Sequence, residues 1–174
     1  IKRLKPSWRN ELEITDSLQM LLEEGNKITY DIITDYWKDT GTPEDIINAN
    51  KEILKNMNSS FKGEKEENVT IEGNVIIGIG TKIKKNCQIN GPVIIGNNCI
   101  LEDNTSIGPN VSIGNNTKIS KSSIEDSIIM ENCKIDLDVN IRNSIVSNNS
   151  EIISDNKLNN ESIFLLGEGT KIFL

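Results

Sequence analysis

Nine apolar residues, Ile71, Ile77, Ile83, Ile89, Ile95, Leu101, Ile107, Ile113 and Ile119, follow one another at intervals of six. Neither the 3.6-residue turn of a helix nor the two-residue alternation of a strand produces that spacing. It marks a repeat whose unit is a short extended segment followed by a corner. Four residues after each of the first eight stand Val75, Thr81, Cys87, Val93, Cys99, Thr105, Val111 and Thr117, all small or β-branched and able to share an interior with the larger residue. Three residues after the same eight stand Asn74, Gly80, Asn86, Pro92, Asn98, Asn104, Asn110 and Asn116. Asn and Gly accept a left-handed backbone at least cost, and a chain that turns every six residues needs such a position repeatedly. Three units close one triangular coil, which predicts three stacks: Ile71 on Ile89 on Ile107, Ile77 on Ile95 on Ile113, and Ile83 on Leu101 on Ile119. Each coil then covers the next, so a narrow element in a chain with only 4% aromatic residues can still bury a continuous core.

Hexapeptide repeats of this kind resemble left-handed parallel β-helices. The register slips after Ile119 and resumes at Ile129, Ile135 and Ile141, ten residues rather than twelve separating Ile119 from Ile129. Cys133 then takes the small-residue position already held by Cys87 and Cys99, which makes all three cysteines interior residues. Residues 148–161 lose the pattern, and Ser162 to Leu174 reads as a strand pair around Gly167 and Gly169 that caps the open end.

The chain before the repeat is mixed. Thr15, Asp16 and Ser17 offer capping oxygens ahead of Leu18, Leu21 and Leu22, and Gly25 can close the helix, so a helix is expected over about 15–24. Lys27 to Thr34, KITYDIIT, has the β-branched and aromatic content of a strand. Thr42 with Pro43 and Asp45 forms a capping signature for a second helix through about Asn56. The expected organisation is therefore a small α/β segment at 1–57, a polar linker at 58–68, and a mainly β domain, the left-handed parallel β-helix with its cap, at 69–174.

Composition narrows the chemistry. A net charge of −7 with scattered acids argues against nucleic acid as a partner, because binding phosphate needs clustered Lys and Arg. No stretch approaches the roughly 20 apolar residues of a membrane span, and the reading is cytoplasmic. The three cysteines show no CxxC spacing, so neither a zinc cluster nor a disulfide framework is suggested. There is no histidine, which removes the commonest general base and every Ser-His or Cys-His dyad.

Two stretches, KPSWRNELEITDSLQ from Lys5 to Gln19 and YWKDTGTPEDIINANKEIL from Tyr36 to Leu54, resemble the glucose-1-phosphate thymidylyltransferase family. With the repeat and the ending LLGEGTKIFL, the likeness is to the long form of that family, a nucleotidylyltransferase domain carrying a C-terminal β-helix. The resemblance implies attack of glucose 1-phosphate on the α-phosphorus of dTTP, giving dTDP-glucose and pyrophosphate with magnesium as cofactor. It implies that Asp39, the acid of the WKDTGT motif, helps hold the metal. It also implies that Arg9 acts in catalysis near the substrate phosphates and that Trp37 and Glu13 bind substrate, with Glu11 and Glu13 orienting Arg9 or the sugar. Taken one at a time, Asp39 reads as a turn or capping residue, Arg9 as a surface ion-pair donor and Trp37 as a packing residue.

The resemblance further places the Gly-rich nucleotide loop, a first metal-binding Asp and a sugar-binding Glu-Lys pair upstream of Ile1, so the 174 residues read as an inactive C-terminal portion. A hexapeptide acyltransferase is the alternative, and the missing histidine counts against it. Another sugar-1-phosphate nucleotidylyltransferase also remains open. For the segment alone, a structural and assembly role is expected, as a homo-oligomer with a trimer ahead of a dimer. Surplus isoleucines at positions 76, 79, 94 and 100 would supply the outward patch.

Overall fold

A computed structural model describes residues 3–34 and 36–153. The chain divides into two compact units, the first ending at Trp37 and the second beginning at Lys38.

The first unit contains one helix, α1, Ile14–Glu23. It starts one residue earlier than the capping oxygens at 15–17 suggested, with Glu13 in the cap position and no side-chain capping bond. Gly25, at φ 79°, closes it as expected, donating its N–H to the Leu22 carbonyl. No strand forms at 27–34. Strand structure is a property of pairing, and among the described residues this β-rich stretch has no ladder partner, so composition alone does not make it one.

The second unit is built on a parallel β-solenoid of three sheets. The first face stacks Ser60–Phe61, Val75–Ile77, Val93–Ile95, Val111–Ile113, Ile128–Ile129 and Ile145–Val146. On the second face lie Glu64–Lys65, Lys82–Ile83, Ile100–Leu101, Lys118–Ser120, Lys134–Asp136 and Glu151–Ile153, and on the third Thr70–Glu72, Gln88–Asn90, Ser106–Ile107, Ser123–Glu125 and Asn140–Arg142. The polar stretch 58–68, read as a linker, thus carries the first two strands: Ser60 pairs with Ile76 and Glu64 with Lys82. At the other end Glu151–Ile153 forms a further rung on Lys134–Asp136, within a stretch where the hexads had faded. The closing strand pair expected at 162–174 lies outside the described residues.

The three predicted stacks are those observed. Ile95 pairs with Ile77 and Ile113, Ile89 with Ile71 and Ile107, and Leu101 with Ile83 and Ile119. Ile89, Ile95, Leu101, Ile107 and Ile119 are all fully buried. At the corners Gly80, Asn86, Asn98, Asn104, Asn110 and Asn116 have positive φ, and side-chain amides form ladders from coil to coil, as in Asn86 to Asn104 and Asn116 to Asn132. In the first two coils the corner between the third and first faces departs from the rule, as Gly73 rather than Asn74 is left-handed and Pro92 follows a cis peptide bond, whereas in the third coil Asn110 follows it.

The slip after Ile119 is two successive five-residue units, Ile119 to Ile124 and Ile124 to Ile129, so Ile124 is a fully buried core residue that the hexads did not reveal. In these corners the left-handed residue comes two positions after the core residue, at Lys121 and Asp126. Buried serines take the small-residue positions, Ser122 in the column of Cys87 and Thr105 and Ser127 in that of Val93 and Val111, and Ser122 Oγ donates to the Leu137 carbonyl at 2.9 Å.

Cys87, Cys99 and Cys133 are buried and unpaired, as expected. Each thiol points at a carbonyl of the following coil, 3.1 Å from the oxygens of Glu102, Gly114 and Ser147 respectively. Burial pushes the Cys87 and Cys99 thiols up from their ordinary value, away from the reactive thiolate.

The second helix, α2, Pro43–Lys55, belongs to the solenoid unit. Its expected cap is present: Thr42 Oγ1 accepts from the Asp45 N–H at 3.2 Å and donates to Asp45 Oδ2 at 2.7 Å. The residues Ile47, Asn50, Lys51 and Leu54 lie at the spacing of one helical face. That face turns to the solenoid, since Ser112 Oγ donates to Asn50 Oδ1 at 2.6 Å and Lys51 Nζ lies 2.8 Å from Asp126 Oδ1. Leu54 beside them is fully buried.

Ser112 occupies the outward row of the first face, with Ile94 and Ile76 on the preceding rungs and Ile128 on the next. A helix of 13 residues is about 20 Å long, the height of about four rungs. Ser112, which bonds Asn50 of α2, shares the outward row with Ile94 and Ile76. These two isoleucines are half-buried rather than part of an open patch, Ile100 is flanked by Lys82 and Lys118, and only Ile79 of the four is prominently exposed, at 64%.

Candidate functional site

In the first unit, Ser7 to Glu11 form a turn in which the Ser7 N–H donates to the Glu11 carbonyl and Asn10 is left-handed at φ 60°. The turn brings Arg9 onto Glu13 at the start of α1. Arg9 Nη2 lies 2.8 Å and 2.9 Å from the two carboxylate oxygens, and Nε lies 3.2 Å from Oε1. The guanidinium, with the Ser7 hydroxyl assisting, holds the Glu13 carboxyl below the usual carboxylate range, and Glu13 in turn raises Arg9. The pair is therefore locked in its charged form at neutral pH. Of the residues singled out in the sequence, these two are brought together, Glu13 as the partner of Arg9. Glu11 acts on Arg9 only through its charge. Trp37, at the end of this unit, is 70% exposed, more than a packing residue would be.

Asp39 lies in the second unit, in the loop leading to α2. Its carboxylate approaches Gly41, where an added Cβ would sit 3.8 Å from Oδ2. The loop is tied to the helix on both sides of Asp39: Lys38 Nζ lies 2.8 Å from Asp45 Oδ1, and Thr42 caps the same first turn. Lys38, followed by Thr42, holds the Asp45 carboxyl below its ordinary range.

Magnesium takes about six oxygen ligands, several of them water, around one or two carboxylates. Among the described residues no group of three or more His, Cys, Asp or Glu lies together as a metal site, and Asp39 stands as a single exposed acid. The described residues do not make up a magnesium site. Equally, no helix among the described residues is long and apolar enough to cross a membrane.

The contacts that sequence reasoning missed are those beneath α2: Asn50, Lys51, Ser112 and Asp126. Asp126 is left-handed at φ 47°, accepts from Asn110 Nδ2 at 2.9 Å, and has its carboxyl held below the usual range chiefly by Lys51. Its one sequence signal was the slipped register around it; nothing in the order of residues links Asn50 to a serine 62 positions away.

A parallel β-solenoid preceded by two short helices is the class of fold these features define. Residues 1–56 match the nucleotidyl transferase family model, and residues 89–172 match that of the GMPPB C-terminal domain. The chain is similar to nucleotidyltransferases. Over 172 residues it is 33% identical to a glucose-1-phosphate thymidylyltransferase of Streptomyces antibioticus, covering 99% of this chain and 48% of that protein. It is 45% identical over 150 residues to the bifunctional protein GlmU of Methanococcus aeolicus, covering 86% of this chain and 36% of that one. A third relative, the low-salt glycan biosynthesis nucleotidyltransferase Agl11 of Haloferax volcanii, is 44% identical over 43% of this chain and 21% of its own length. The chain thus spans less than half the length of these relatives. A solved Bacillus cereus structure described as an acetyltransferase covers 55% of this chain and 68% of its own at 21% identity, with a TM-score of 0.28, too low to bear on function.

Proposed function

We propose that this chain is the C-terminal portion of a cytoplasmic glucose-1-phosphate thymidylyltransferase, joining dTTP and glucose 1-phosphate into dTDP-glucose and pyrophosphate, and that these residues serve chiefly its structure and assembly. The observation that carries the reading is α2. It lies within the stretch matched by the nucleotidyl transferase model, yet Asn50 and Lys51 bond to Ser112 and Asp126 within the stretch matched by the C-terminal domain model. Transferase sequence and solenoid therefore share one packed unit, in the order the resemblance requires.

In such an enzyme magnesium offsets phosphate charge when bound. The residues on this chain have narrower tasks. Asp39 contributes one carboxylate, Arg9 aims a cation held in place by Glu13, and Trp37 offers an exposed aromatic face to substrate. The 174 residues alone are inactive, because they place a single carboxylate where phosphoryl chemistry needs a full set of charge-stabilising groups. The solenoid assembles the protein as a homo-oligomer, a trimer ahead of a dimer.

The test is pyrophosphate release with dTTP or UTP against a panel of sugar phosphates, run on the longer protein and on the 174-residue chain. Turnover is expected from the longer protein with dTTP and glucose 1-phosphate, and Asp39→Asn should lower it by orders of magnitude with the fold intact. Release by the shorter chain, or near-normal turnover of Asp39→Asn, would overturn the assignment.

A further inference from the structure

The contacts of α2 form an unbroken series from the solenoid to the Asp39 loop. Asp126 and Ser112 hold Lys51 and Asn50 in the middle of the helix. A helix transmits position along its axis, because its backbone bonds resist bending. At its N-terminus Asp45 takes the Lys38 ammonium and the Thr42 hydroxyl, and Asp39 lies between those two residues. All of these groups belong to one compact unit. Without the solenoid contacts, a helix whose first turn holds this loop would be free to shift or fray, and the loop with it.

We propose that the solenoid sets the position of the Asp39 carboxylate through α2, which makes Lys51 and Asp126 positioning residues for the transferase reaction. The inference rests on the reading of Asp39 as a working acid. It assigns the β-helix a task beyond assembly: its fourth coil, where the units shorten to five residues, supplies the corner at which Asp126 can meet the helix.

Two measurements test this, using Lys51→Met, Asp126→Asn and the reversed pair Lys51→Asp/Asp126→Lys. Amide exchange in the 174-residue chain is the first. For a partly exposed ion pair, each single variant should speed exchange across Thr42 to Leu54 by about two- to fivefold, and the reversed pair should return it toward the original rate. Unchanged exchange in both singles would overturn the proposal. The second is turnover of the longer protein in a double-mutant cycle. Asp126→Asn should lower kcat by about two- to fivefold with KM for glucose 1-phosphate unchanged, and should cost nothing further in an Asp39→Asn background. An equal loss in both backgrounds would show that the pair supports the fold without positioning Asp39. If Asp39→Asn alone keeps full turnover, the acid assignment falls and the positioning role with it. The exchange response of α2 would then survive by itself, which separates that failure from a failure of the solenoid contact.

Discussion

Replacing Ile95 by Ala or Asp tests the packing on which the solenoid depends. Ile95 is fully buried on the first face, between Ile77 and Ile113 of the neighbouring coils. Truncation to Ala removes about three carbons, worth about 2.4 kcal/mol at about 0.8 kcal/mol each, before any cavity is counted. The rungs above and below are fixed by parallel ladders, so the space cannot collapse, and a total of about 3–4 kcal/mol is expected. An aspartate there adds an unpaired carboxylate with only apolar neighbours in its stack, at a further cost of several kcal/mol, comparable with the whole stability of a domain. Asn97 provides the control. Its Oδ1 accepts from the Ile79 N–H at 2.8 Å, and Asp103 already plays the same part for the Lys85 N–H at 3.1 Å, so Asn97→Asp should stay within about 0.5 kcal/mol. Urea denaturation followed by circular dichroism, with amide exchange to localise any partial opening of the coils, supplies the measurement. Equal tolerance at positions 95 and 97 would refute the register.

Gly108, at φ 103°, has the Asn90 carbonyl oxygen where a Cβ would lie, 1.9 Å away, so Gly108→Ala should destabilise by more than the roughly 1 kcal/mol expected of Gly25→Ala, where φ is 79° and nothing stands within 4 Å; denaturation midpoints compare them. The Asp126 carboxyl is held below its ordinary value by Lys51 and Asn110, so its contribution is present above about pH 4 and is lost as pH falls through the depressed value. An acid titration of α2 amide exchange should therefore be flatter in Asp126→Asn than in the parent, and identical curves would contradict the pairing. Sedimentation equilibrium should give a trimer mass, or failing that a dimer; a concentration-independent monomer would remove the assembly reading.

What the sequence by itself determined is what repeats in it. A period of six placed Ile71 through Ile119 in the interior, stacked them 18 apart, assigned the cysteines to the core and gave most corners to Asn, because interior shape and left-handed backbone are demands made at every coil by residues close in the chain. Thr42, Pro43 and Asp45 marked the start of α2 for the same reason: a cap is written within four residues. The resemblance to thymidylyltransferases was likewise carried by short motifs, and the family matches agree with it.

Tertiary structure decided the rest. The strand signal of KITYDIIT was not enough without a ladder to join, and Ile124 entered the core only because two five-residue corners could close around buried serines. Ile76 and Ile94 read as a patch because hydrophobicity does not say how far the folded chain covers a residue, and both are half-buried. In the candidate site, the types of Arg9, Glu13, Trp37 and Asp39 were legible, and the structure made Glu13 the partner of Arg9. Lys51 and Asp126 were not legible, since an ion pair between residues 75 apart depends on how a helix lies against a solenoid, a geometry no local pattern encodes.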